Sequence, residues 1–145
     1  MLSFTIHRAG NTTLFRCAGR LFSGDSECLR DGVLTRSHAP NVVIDLAEVS
    51  SLDAGGLSVL LALREWAQMT ATKLKLMNLT PRVEEVFELT NLRGVFEFCS
   101  VAEMLALMCQ LLRQNSHSFA LQELSQLSVH ARQEPNSTAV TDPAA

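Results

Sequence analysis

The chain has 145 residues, with 12 Lys+Arg against 15 Asp+Glu and a formal charge of −3. That length fills one ordinary domain and is too short for two well-sized cores. The acidic balance lacks the footprint of a general nucleic-acid binder, and 6% aromatics with no Tyr leave no stacking platform for bases. Hydrophobic residues at 47% and charged residues at 19% suffice to fill a core, so the chain as a whole is not disordered.

Phe4-Thr5-Ile6-His7 and Leu14-Phe15-Arg16-Cys17-Ala18 alternate, with Gly10-Asn11 between them, which predicts two strands joined by a tight turn. Gly19-Arg20-Leu21-Phe22 extends the second strand, and the polar cluster Ser23-Gly24-Asp25-Ser26 ends it and offers helix caps. Cys28, Leu29, Val33 and Leu34 recur at helical spacing until Ala39-Pro40-Asn41 breaks the pattern. Val42-Val43-Ile44-Asp45-Leu46 is a short apolar, β-branched run, the pattern of a central strand buried on both faces.

A loop then leads to an amphipathic helix that starts near Asp53 and carries Leu57, Leu60, Leu61, Arg64 and Trp66. Lys73-Leu74-Lys75-Leu76-Met77 alternates as a strand with its two Lys toward solvent. Thr80-Pro81 predicts an N-cap followed by Pro at the first helical position, and Val83, Val86 and Phe87 give that helix its apolar stripe. Asn91 suits a left-handed helix end, Val95 to Cys99 a last strand, and Val101 to Arg113 a final helix. The expected architecture is α/β, a mixed sheet of four or five strands with about four helices, spanning residues 1–114. Phe119 to Val129 fits a short helical extension within 115–130, with a stripe suited to docking on the domain or on a second copy in a homodimer. The polar residues 131–145 read as a disordered tail.

The cysteines, Cys17, Cys28, Cys99 and Cys109, form no C-x-x-C pair and have no His at zinc-ligand spacing, so they read as small core hydrophobes and no metal is expected. His7, His38, His117 and His130 are scattered and read as surface residues. Without a secretory leader or an apolar run long enough to span a bilayer, the expectation is a cytoplasmic chain with no membrane insertion. Glu84, Glu85 and Glu88 read as a solvated face near a helix N-terminus.

The segment Val42 to Leu57 holds the most chemistry: a buried strand, a loop, and Asp53-Ala54-Gly55-Gly56 opening a helix. Unpaired N–H groups at a helix start suit an anion, and the glycines would let another backbone approach. The simpler reading is Asp53 as an N-cap with glycines packed on a strand. An acyl-phosphate at Asp53 would require a magnesium site, for which only Asp45 and Glu48 lie close in sequence, and Asp45 fits a structural place at the end of its strand.

Ile44-Asp45-Leu46-x-x-Val49-Ser50-x-Leu52-Asp53-x-x-Gly56-Leu57 resembles the core signature of STAS domains, the sulfate transporter and anti-sigma factor antagonist family. Gly19-Arg20-Leu21, Leu76 to Val83 and Phe87 to Leu92 extend the resemblance over roughly residues 2 to 113. It implies a bacterial, non-enzymatic signalling domain that acts on transcription by binding a protein, an anti-sigma factor that is also a serine kinase, with no cofactor. It also implies a docking surface at Ser51, Asp53, Ala54, Gly55, Gly56 and Ser58, with Phe22 and Gly24 from the neighbouring loop. In antagonists of this family a serine of Asp-Ser-Ser-Gly accepts phosphate from that kinase. The matching position here is Gly55, preceded by Ala54, and neither has a hydroxyl, so no phosphorylation is expected there; Ser58 is the secondary candidate. Two other readings fit the resemblance: an accessory subunit of a lipid-transporting ABC ATPase, or a small-ligand or nucleotide sensor, although no Gly-x-x-x-x-Gly-Lys loop is present.

Overall fold

The computed structural model describes residues 1–114. The extension expected over 115–130 and the tail beyond it lie outside the described residues. Five strands form one sheet in the order β1-β2-β3-β4-β5: β1 (Leu2–Ala9), β2 (Thr12–Leu21), β3 (Asn41–Leu52), β4 (Lys73–Met77) and β5 (Glu97–Phe98). The β1–β2 pair is antiparallel and the other pairs are parallel, so the sheet is mixed as expected, with β3 in the centre. The helices are α1 (Ser26–Arg36), α2 (Ala54–Met69), α3 (Pro81–Leu89) and α4 (residues 101–114).

The hairpin between β1 and β2 turns at Gly10, whose φ of 58° is open to glycine at little cost. The β-branched run of β3 sits where both faces are covered, and Val42 to Leu46 are all buried. Side chains alternate along a strand, so one apolar row crosses the whole sheet through Ile6, Phe15, Ile44, Leu76 and Phe98. That row belongs to the main core, together with Leu29 and Val33 of α1, Leu57, Leu60 and Leu63 of α2, and Val83 and Phe87 of α3. On the other face Val43 has Lys75 as its neighbour on β4, and Lys75 Nζ meets Glu103 of α4 at 2.8 Å. Lys75 is therefore half-buried and paired, whereas Lys73 is exposed as expected.

The structure differs from the sequence reading in five places. β3 does not stop at Leu46 but runs to Leu52, because β2 continues beside it through two register shifts. Gly19 lies at the second shift with φ 107°, a conformation that side chains rarely adopt. Asp45 is thus in the interior of its strand rather than at its end. β5 pairs only over Glu97–Phe98 instead of Val95 to Cys99. Of the cysteines only Cys17 is a core residue: Cys28 and Cys109 are exposed and Cys99 is half-buried. Glu84 is not simply solvated, since Arg93 pairs with it. Asn91 does take the left-handed conformation, with φ 56°.

Candidate functional site

The extended ladder carries β2 and β3 to a common end. Arg20 pairs with Ser51 and Leu21 with Leu52, so the β2–α1 turn and the start of α2 emerge side by side. Asp53 N–H donates to Leu21 O at 3.3 Å across this junction. Asp53 is the N-cap of α2: its Oδ1 accepts from Gly56 N–H at 2.8 Å, as the Asp-x-x-Gly spacing predicts. Its Oδ2 reaches the turn instead, accepting from Ser23 N–H at 3.3 Å and Ser23 Oγ at 3.5 Å. The bond from Gly56 N–H, with help from Ser23 and Gly55 N–H, holds the Asp53 carboxyl below its usual range against the opposing effect of burial.

The two glycines are required by space. Neither has a positive φ, but a Cβ added at Gly56 would stand 1.9 Å from Leu21 O, and one at Gly55 would stand 2.1 Å from Ser23 Cβ. This is the simpler of the two readings, a capping Asp53 with glycines packed on a strand: the backbone that approaches them is the chain's own. Ala54 and Ser58 are exposed on α2, and Gly24 is exposed on the turn, where an added Cβ would meet nothing within 4 Å. Phe22 is half-buried with the Arg20 guanidinium 5.8 Å from its ring centre. Ser51 is half-buried within β3. The structure therefore gathers all eight expected residues at one end of the sheet, with Ala54, Ser58 and Gly24 outermost.

Sequence reasoning missed Ser23 as the link between the two loops. Its partner Asp53 is 30 positions away, and nothing in the local pattern marks a contact at that separation. It also missed the hydroxyls that bind the surface from behind: Ser50 Oγ donates to Gly19 O at 3.2 Å and Thr80 Oγ1 to Val49 O at 2.9 Å. Thr80 thus has no side-chain capping bond, although it stands at the N-cap of α3.

The surface is chemically plain. Among the described residues no group of three His, Cys, Asp or Glu is placed to hold a metal ion. Asp45 is buried beneath, its Oδ1 accepting from Ala47 N–H at 3.0 Å and Asn78 Nδ2 at 3.2 Å, and its Oδ2 meeting Arg16 at 3.4 Å. That set of partners satisfies a buried carboxylate and leaves it no role at the surface. Burial, helped by Asp45, pushes the nearby Cys17 thiol up to about 12, which removes it as a nucleophile at neutral pH. Clefts of about 150, 290 and 170 Å3 lie elsewhere, lined by residues outside the eight.

The model of the STAS domain matches residues 3–106. The chain belongs to the STAS domain family. Solved structures agree on the fold of this STAS domain. The unphosphorylated anti-sigma factor antagonist SpoIIAA is 20% identical, with TM-score 0.59, over 71% of this chain and 93% of that one. The Bacillus cell fate determinant SpoIIAA in its phosphorylated form is 18% identical, with TM-score 0.54, over 72% and 97%. An anti-sigma factor antagonist from Mycobacterium paratuberculosis is 20% identical, with TM-score 0.63, over 74% and 95%. No curated protein matches the chain significantly. Among the described residues no helix is long and apolar enough to cross a membrane.

Proposed function

We propose that this STAS domain is a non-enzymatic signalling module that binds an anti-sigma factor or a related serine kinase in a bacterial cytoplasm, and thereby acts on transcription. The docking surface is the end of the sheet where the β2–α1 turn meets the start of α2, centred on Gly24, Ala54 and Ser58, with Phe22, Ser51, Asp53, Gly55 and Gly56 as its floor. One observation carries this reading: Asp53 locks two loops together, its Oδ2 accepting from Ser23 N–H and its Oδ1 from Gly56 N–H, into one surface whose outermost residues, Gly24, Ala54 and Ser58, are small and exposed. Exposed small side chains on firmly held backbone suit a macromolecule better than a small ligand, whose sites are concave and mostly apolar. The family membership and the antagonists that share the fold support the same class of partner.

Affinity capture from cells of the source organism, with the full chain as bait, tests the reading. The expected result is an ATP-binding kinase of the anti-sigma type, lost with Gly24→Arg or Ala54→Arg. Both side chains would project into open solvent in the free domain, so folding should be retained. Capture of a transport ATPase, or capture that survives both substitutions, would contradict it.

A further inference from the structure

Helix α4 is apolar over a wider arc than the domain covers. Leu107 is buried and Met104 and Leu111 are half-buried, three positions of one face. Beside that face runs a second stripe, in which Val101, Leu105, Met108 and Leu112 are 68%, 60%, 49% and 65% exposed. Single exposed apolar side chains are ordinary, but four at i, i+4, i+7 and i+11 make one continuous strip along the helix. Among the described residues nothing covers it. We propose that residues 119–131 fold back as a helix antiparallel to α4 and bury this stripe.

The sequence that follows α4 carries the matching pattern. Ala120, Leu124, Leu127 and Ala131 stand at the same i, i+4, i+7 and i+11 spacing. Set antiparallel, Leu112 faces Ala120, Met108 faces Leu124, Leu105 faces Leu127 and Val101 faces Ala131. Each stripe is then about 16.5 Å long at 1.5 Å per residue, so the two match in length as well as in register. The polar break between them, Asn115-Ser116-His117-Ser118, has the length of the short loops that join antiparallel helices. A straight continuation of α4 does not serve. The exposed stripe would then run on through Asn115, Phe119, Gln122 and Gln126, which are mostly polar amides. A second copy is the weaker occupant, because four partly exposed side chains fall far short of the roughly 20 residues a side in a stable interface. A segment tethered to the end of α4 docks without the loss of translational freedom that association costs, so a narrow stripe suffices.

Amide hydrogen exchange of the full chain, with its mass in solution measured by sedimentation, tests the proposal. The wild-type chain should sediment as a monomer whose amides in residues 121–131 exchange at least about tenfold more slowly than those of an unstructured peptide. Leu105→Glu and Leu124→Glu, on the two sides of the contact, should each abolish that protection. Gln122→Glu, on the far face of the added helix, should keep it. Leu105 is exposed on the domain, so β2 and β3 should stay protected in Leu105→Glu, which separates undocking from unfolding. Exchange of 121–131 at the rate of an unstructured peptide overturns the proposal, as does protection that survives both Leu105→Glu and Leu124→Glu. Protection that appears only as the chain dimerises overturns it in favour of a second copy.

Discussion

Replacing Gly55 by Ser or Gly56 by Ala forces the β2–α1 turn or the end of β2 to move, since the nearest atoms belong to Ser23 and to the Leu21 carbonyl. Overpacking of this kind costs about 1–3 kcal/mol. Gly24→Ala meets nothing within 4 Å and should stay within about 0.5 kcal/mol of wild type. Urea unfolding of the three variants checks the order, and a Gly55→Ser protein as stable as Gly24→Ala would refute the close packing. Asp53→Ala should lower the melting temperature at neutral pH. The folded-state pKa of Asp53 lies below its ordinary 3.8, so its ionised form stabilises the fold above 3.8 and that contribution is lost as pH falls through the lowered value. The difference between wild type and Asp53→Ala should therefore shrink below 3.8 in acid titrations followed by thermal unfolding. At this scale the Asp53 cap was legible, because it is a local four-residue pattern. The reason for Gly55 was not, because it lies in a residue of another loop.

Among the elements, β3 decides where the surface stands. Its apolar half was legible from Val42 to Leu46, but its second half, Ala47 to Leu52, mixes small and polar residues and reads as a loop. What holds that half in the sheet is pairing with β2 through the shifts near Cys17 and Gly19, a tertiary effect that local propensity does not carry. Asp45 secures the same region, so Asp45→Ala, which leaves the Ala47 N–H and Asn78 without their acceptor, should cost about 2–3 kcal/mol in urea unfolding. A smaller loss would mean that water replaces the carboxylate.

For the whole molecule, the order of elements along the chain, the mixed sheet and the central place of β3 were legible because hydrophobic period and the spacing of turn residues both specify them. The end of the sheet that we propose as the docking surface was marked in the sequence too, through Asp53-Ala54-Gly55-Gly56 and its likeness to the STAS signature. Which of its residues face outward was not: the sequence left Gly55 and Gly56 either open to another backbone or packed on a strand, and they are packed, whereas Gly24 and Ala54 are the exposed small residues. The most direct test of the docking claim is amide hydrogen exchange of the full chain, free and saturated with the captured kinase. Protection should rise at Phe22 to Asp25 and at Ser51 to Ser58, with α3 and β5 unchanged. Protection confined to α3, β5 or α4, with the β2–α1 turn and the start of α2 exchanging as in the free chain, would contradict it.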